Sequence, residues 1–273
     1  MGQIAIALMN KYHSLIDKVY DRRNLLRAFR HGARRRGCSG PDDVSWTEYG
    51  DNLEHNLACL AQRLRAGNFE FSAPRSLYRT GVQGELRHIH VWDVEDRIVQ
   101  HAIKQILTPI FEMEFLDLAY GYRPRRGYAQ AYKRAVDIYS EISTPWVAST
   151  DIRSFFASID RALLKRLFCL RVADGKIINL VESTLFSVDV PGLPIGNVLS
   201  PLMSDLYLHE VDKFLCGERM IRYCDNIVAF SRSRSNALGD LELITAAVRS
   251  VELQLNADKT QVVFAPPIES IFQ

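Results

Sequence analysis

Residues 221–228 read Ile221-Arg222-Tyr223-Cys224-Asp225-Asn226-Ile227-Val228. Apolar and aromatic residues flank a short polar centre. This is the pattern of two strands folded back on a tight turn, Met220–Tyr223 first and Ile227–Ser231 second. Asp225 falls in the turn. Further back, Trp146-Val147-Ala148-Ser149-Thr150-Asp151-Ile152 reads as a buried strand ending in an acid. A carboxylate among apolar strand residues is costly to bury unless it is paired or bound to a metal. Two such carboxylates on neighbouring strands can hold Mg²⁺ ions side by side. That arrangement supports in-line nucleotidyl transfer, one ion activating a 3′-hydroxyl and the other stabilising the leaving pyrophosphate. Either Asp alone would be read first as a turn residue or a helix cap, so the surrounding blocks decide.

Outward from this centre the chain alternates helices and strands. Residues 12–36 are expected to form one helix, apolar along Leu15, Val19, Leu25, Leu26 and Phe29. Its other side carries Arg22, Arg23, Arg27, Arg30, Arg34, Arg35 and Arg36. That side reads either as a solvated face or as a phosphate-backbone contact. Residues 45–66 predict a second helix, starting near Ser45 and ending before Gly67. Strands follow at Arg75–Tyr78 and Arg87–Trp92, with a turn at Gly81–Gly84. A long helix is expected from Val94 to Phe115. After the Asp151 strand come a helix from about Ser158 to Leu170, with Asp160 in its first turn, and another over Val198–Leu215. An amphipathic helix over Ala237–Leu253 and a short strand at Gln261–Ala265 complete the pattern, which favours an α+β class over a doubly wound sheet.

The 273 residues are 47% hydrophobic and 24% charged, enough for one large core or two modest ones. No run of about 18 apolar residues is present, so a membrane span is not expected. Met1–Asn10 is apolar but lacks the features of a signal peptide. Cys38, Cys59, Cys169, Cys216 and Cys224 form no C-x-x-C pair, which fits reduced thiols in the cytoplasm. A net charge of +2 says little about nucleic-acid binding, because distribution matters more than the sum. His88, His90, His101 and His209 match no zinc spacing.

Seven blocks stand in a suggestive order. They are Asp96-Arg97-Ile98-Val99-Gln100, Leu107-Thr108-Pro109-Ile110-Phe111-Glu112, Tyr120-Gly121-Tyr122-Arg123-Pro124, Asp151-Ile152-Arg153-Ser154-Phe155-Phe156, Gly192-Leu193-Pro194-Ile195-Gly196-Asn197-Val198-Leu199-Ser200-Pro201, Tyr223-Cys224-Asp225-Asn226 and Leu255-Asn256-Ala257-Asp258-Lys259-Thr260. Together they resemble the prokaryotic reverse transcriptases of the group II intron and diversity-generating retroelement type. The resemblance covers nearly the whole chain from Leu15 onward. It implies a right-hand polymerase architecture, with fingers mainly in 1–145 and palm mainly in 146–273, the palm being an antiparallel sheet backed by helices.

The resemblance also implies roles. Asp151 and Asp225 would bind two Mg²⁺ ions, with Mn²⁺ as a substitute, and the Ile152 carbonyl and Asn226 would lie in the same coordination site. Lys259 would be the general acid to pyrophosphate, or a helix-end lysine. Phe156 would crowd a ribose 2′-hydroxyl, or simply fill core. Arg87 would meet the incoming triphosphate, with Arg79 in place of the family's companion lysine. Ile195 and Gly196 would line the nucleotide site. Arg22, Arg23, Arg30, Arg123, Arg126 and Tyr223 would touch nucleic acid. The implied partners are an RNA template, a DNA or RNA primer and deoxynucleotides.

Three departures qualify the pattern. Asn226 stands where the family has a second Asp, so the site loses a charge. The enzyme works with two acids, or the change is engineered to trap an inactive state, or the domain is a natural pseudo-polymerase. Ile195 replaces the usual Gln, which predicts looser checking of the incoming base. The sequence stops at Ile271-Phe272-Gln273, where a thumb is expected to begin, so the thumb is expected to be absent or supplied by an accessory protein. Two alternatives accompany the polymerase reading: a template-independent or protein-primed polymerase of the defence type, and a catalytically silent RNA-binding scaffold.

Overall fold

The computed structural model describes residues 11–35, 37–81, 84, 86–215 and 217–272. They divide into two compact units. One holds the chain up to Phe111 together with Arg161–Ser200, and the other holds Glu112–Asp160 and Pro201–Gln273. The chain therefore crosses between units at 111/112, 160/161 and 200/201, where a single boundary near 145 was expected.

In the first unit, the expected helix over 12–36 is two helices, α1 (Ile16–Val19) and α2 (Arg22–Arg34). The break comes at Asp21, whose carboxylate accepts from the N–H groups of Arg23 and Asn24 and so starts a new helix. Arg36 lies outside the described residues. The expected 45–66 helix is also two, α3 (Trp46–Asp51) and α4 (Leu53–Ala66). Ser45 and Glu48 form a reciprocal cap at its start, and Gly67, at φ 78°, ends it. β1 (Arg75–Thr80) and β2 (Leu86–Val91) form an antiparallel ribbon. Val82 and Gln83 of the expected turn lie outside the described residues. α5 (Val94–Glu112) buries Ile98, Val99, Ala102, Ile103 and Leu107.

The expected helix beginning near Ser158 starts later. A single turn, α7 (Phe155–Ser158), precedes Asp160, and α8 (Arg161–Cys169) begins just after it, so Asp160 is outside the first turn. A further helix of the first unit, α9 (Gly175–Phe186), was not read from the sequence. Asp174 starts it by accepting from Lys176 and Ile177, and its second oxygen accepts from Leu15 and Ile16.

The second unit is built on a four-stranded antiparallel sheet in the order β4–β5–β3–β6. The strands are β3 (Trp146–Thr150), β4 (Met220–Tyr223), β5 (Asn226–Ser231) and β6 (Gln261–Phe264). α6 (Tyr128–Ile142), also unread in the sequence, covers one face, where Ala131, Ala135 and Ile138 pack with Val147, Ile221, Val228, Phe230, Ile271 and Phe272. α11 (Arg234–Ser250) packs against β3 and β5, and α10 (Ser200–Phe214) begins at the unit boundary. Tyr207 of α10 donates its hydroxyl to the Val251 carbonyl just beyond α11. Among the described residues no helix is long and apolar enough to cross a membrane.

Candidate active site

Register brings the two acids to one end of the second unit's sheet. Thr150 pairs with Ile227, and Tyr223 pairs with Asn226 across the hairpin. Asp151 follows the last paired residue of β3, and Asp225 lies in the two-residue turn beside it. Cys224, the first turn residue, has φ 55°, as tight hairpin turns require. Burial pushes the Asp225 carboxyl up to about 6, and the negative charge of Asp151 adds to the shift. Lys259 and Arg222 pull the other way.

Lys259 is placed on the same acids. The segment after α11 runs antiparallel to residues 151–153, with the Asn256 N–H donating to the Asp151 carbonyl at 2.8 Å and the Arg153 N–H to the Gln254 carbonyl at 2.9 Å. Neither bond uses the carbonyl of Ile152, whose side chain is buried. Asn256 accepts from the Asp258 N–H, and Thr260 returns its hydroxyl to the Asn256 carbonyl. These bonds close a 3-10 turn over Ala257–Lys259. The Lys259 ammonium lies 3.4 Å from Asp151 Oδ2. Phe156 is half-buried on α7, edge-on to Phe155 at 5.6 Å.

This donor set suits a hard divalent cation. Carboxylate oxygens are its preferred ligands, and the upward push of Asp151 on Asp225 marks like charges that a bound cation would relieve. Asp151 and Asp225 would hold it, with Asn226 next along the chain at the start of β5. Among the described residues no group of three or more His, Cys, Asp or Glu side chains could hold a metal ion, so the site rests on two acids. The four histidines considered for zinc are scattered. His88 and His90 neighbour each other on β2, His101 neighbours His31, and His209 packs on Phe115 in the second unit.

Of the nucleotide-site candidates, Phe156 falls in the second unit, whereas Arg79, Arg87, Ile195 and Gly196 fall in the first. Arg79 and Arg87 are direct cross-strand partners on the β1–β2 ribbon, and both are exposed. The Gly192–Ser200 loop is fastened to the same strand, because the Ile195 carbonyl accepts from the His90 N–H at 2.8 Å. Gly196 has φ 105°, and a Cβ there would lie 2.1 Å from the His90 carbonyl oxygen, so only glycine fits. Behind the loop, Asn197 and Gln100 both donate to Thr184 Oγ1 at 2.9 Å, and Gln100 accepts from the Val198 N–H. Ile195 itself is 40% exposed.

Comparison with known proteins agrees with this chemistry. The family model "Reverse transcriptase (RNA-dependent DNA polymerase)" matches residues 78–269, well over half of the chain. The chain belongs to the reverse transcriptase family. Protein YkfC of Escherichia coli K12 is 31% identical over 188 residues, 64% of this chain and 49% of YkfC. Group II intron-encoded protein LtrA of Lactococcus lactis subsp. cremoris is 28% identical over 223 residues, 75% of this chain and 37% of LtrA. An uncharacterized 91 kDa protein in the cob intron of Schizosaccharomyces pombe is 26% identical over 165 residues, 57% of this chain and 20% of its own length. The chain thus spans half or less of these relatives.

Within this reverse transcriptase chain, several residues expected to meet nucleic acid have internal partners. Arg123 is buried and spends its donors inside the second unit. Its Nε and Nη2 hold Glu112, and Nη1 and Nη2 hold the carbonyls of Leu116, Ala119 and Phe115. A guanidinium so engaged has no donor left for a template phosphate. Arg126 pairs with Asp117, and Arg22 with Glu54, both at the surface. Arg23 and Arg30 are exposed on α2. Tyr223 is half-buried, edge-on to Tyr128 and Phe272. The Tyr120–Pro124 block, expected among the fingers, belongs to the second unit. The Tyr120 N–H donates to the Arg222 carbonyl, and Gly121 lies against the backbone of Cys224.

Sequence reading missed the ion group beneath the turn. Arg222 is fully buried with Asp205 and Asp212 of α10. Burial pushes the Asp205 carboxyl up to about 6 despite the pull of Arg222. A charged residue inside Met220-Ile221-Arg222-Tyr223 was the available signal. Its partners could not be chosen from spacing alone.

Proposed function

We propose that this chain is the catalytic part of an RNA-directed DNA polymerase, extending a DNA or RNA primer along an RNA template with deoxynucleotides. The second unit would be the palm and the first the fingers of a right-hand architecture. The single observation that carries the reading is the convergence of Asp151, Asp225 and Lys259 at one end of an antiparallel sheet. Divalent ions, Mg²⁺ or Mn²⁺, would supply charge neutralisation at the attacking 3′-oxygen and the leaving pyrophosphate. Asp151 and Asp225 would hold them, and Lys259 would give its proton to the pyrophosphate oxygen. Arg87 and Arg79 would bind the triphosphate, Phe156 would exclude the 2′-hydroxyl, and the loop at Ile195 and Gly196 would seat the nascent pair. With an apolar Ile195 there, copying is expected to be error-prone. A cytoplasmic location fits the unpaired thiols.

Asn226 favours a second reading, an RNA-binding scaffold without activity. Primer extension on an RNA template with Mg²⁺ and with Mn²⁺, comparing the chain with Asn226→Asp and Asp225→Ala, separates the two. The expected result is DNA synthesis that rises at least tenfold in Asn226→Asp and vanishes in Asp225→Ala. Synthesis that survives Asp225→Ala overturns the active-site assignment. RNA binding without synthesis in any version, assayed with the relatives' missing length restored, supports the scaffold.

A further inference from the structure

Arg222 lies on β4, three residues before Asp225. Its guanidinium is gripped by two buried acids: Asp212 accepts from Nε and Nη2 at 2.7 Å each, and Asp205 accepts from Nη1 at 3.1 Å. The same Nη1 donates to the Cys224 carbonyl at 2.9 Å. The backbone of Arg222 is fixed as well. Its N–H donates to the Leu118 carbonyl, and its carbonyl accepts from the Tyr120 N–H, both at 2.8 Å. A buried ion group of this kind is a weak source of stability, because apolar residues of similar volume often serve as well. Its use must be sought in what it holds.

What it holds is one peptide plane. The Cys224 carbonyl and the Asp225 N–H belong to the same planar unit, so a bond to that oxygen limits how Asp225 can turn. Cys224 needs the tie, since its φ of 55° is disfavoured for a residue with a side chain. We infer that Arg222, anchored by Asp205 and Asp212, is a positioning residue that clamps the Cys224 carbonyl and so aims the Asp225 carboxylate. The inference rests on the reading of Asp225 as a cation-binding acid. The fork is essential to it: Arg222 makes four side-chain hydrogen bonds from three separated nitrogens, whereas a lysine has three donors on a single atom.

Removing Arg222 alone strands two buried acids and can unfold the chain, so the test uses Arg222→Met combined with Asp205→Asn and Asp212→Asn, alongside Arg222→Lys. Four readouts are taken on the whole chain and on its Asn226→Asp version: thermal melting, amide hydrogen exchange across 223–226, Mn²⁺ binding by electron paramagnetic resonance, and primer extension resolved into kcat and template–primer Kd. In a triple variant that melts cooperatively, turn exchange is expected to quicken at least tenfold and Mn²⁺ affinity to fall at least tenfold. Where extension occurs, kcat should fall at least tenfold while template–primer Kd stays within twofold. Arg222→Lys should reproduce these losses. A folded triple variant with unchanged turn exchange and Mn²⁺ affinity overturns the clamp. Loss of Mn²⁺ affinity in a chain that extends no primer in any version leaves the clamp standing and counts against the polymerase reading alone.

Discussion

Asp96 shows how much a single buried side chain sets. It is 3% exposed, accepts from the N–H and hydroxyl of Ser72, and has Asp93 and Glu95 as charged neighbours. Burial pushes its carboxyl up to about 7. The folded chain therefore keeps a proton on Asp96 across the interval from pH 4 to 7, where the unfolded chain releases it. Its contribution to stability is full below the ordinary carboxylate range and is lost as pH rises through 7, a difference on the order of 4 kcal/mol. Asp96→Asn should remove that dependence. Urea unfolding at pH 5 and pH 8 should show a smaller difference between the two pH values in the variant than in the parent. An equal difference would mean that Asp96 is ionised in the fold. The acids proposed to carry the chemistry were legible because Asp151 and Asp225 interrupt apolar strands, where burial demands a reason. Arg123 was legible as a charge but not as a structural one, since the carbonyls it binds leave no mark in side-chain pattern. Arg222 was hidden for a similar reason, with partners ten and seventeen positions away on a helix.

At the scale of elements, the strands of the second unit and the hairpin turn were readable from alternation and from two short apolar runs, and they appear within a residue or two of expectation. Helix boundaries fared less well where a local cap outweighed periodicity. Asp21 begins α2 inside what reads as one continuous stripe. α6 escaped notice because its buried face is Ala131, Ala135 and Ile138, too small a stripe to stand out. The segment before α6 makes the prediction that belongs here. Residues 118–120 lie along the free side of β4 through the bonds of Leu118 and Tyr120 to Arg222, which brings Gly121 against the turn. A Cβ on Gly121 would sit 2.4 Å from the Cys224 nitrogen and 2.8 Å from its Cα, and neither backbone atom can step aside without moving the turn. Gly121→Ala should therefore lower primer-extension kcat by roughly tenfold or more, about 1.4 kcal/mol on the barrier, while template–primer binding stays intact. A variant with kcat within twofold of the parent would show that the turn tolerates the shift.

For the whole molecule, the interleaving of the chain decides what can fold. A cut near 145, natural from the sequence, keeps β3, β4, β5 and β6 together but removes α6 from the unit that contains them. The face left behind includes Ile221, Val228 and Phe230, all within 2% of full burial in the intact chain. Each such side chain is worth roughly 1.5–3 kcal/mol when fully buried. Exposing the three together costs an amount comparable with the entire stability of an ordinary domain, about 5–15 kcal/mol. The same cut removes Leu118 and Tyr120, and with them the backbone bonds that flank Arg222. A fragment of residues 146–273 should therefore show no cooperative thermal transition and should bind a dye that reports exposed apolar surface. Supplying residues 112–145 as a separate peptide should restore the transition, because the peptide carries both α6 and the 118–121 segment. A sharp melt of 146–273 alone would mean that the sheet is held by α10 and α11 without its second cover. In that case the unit to assay for metal binding would be smaller than the one drawn by the chain's crossings.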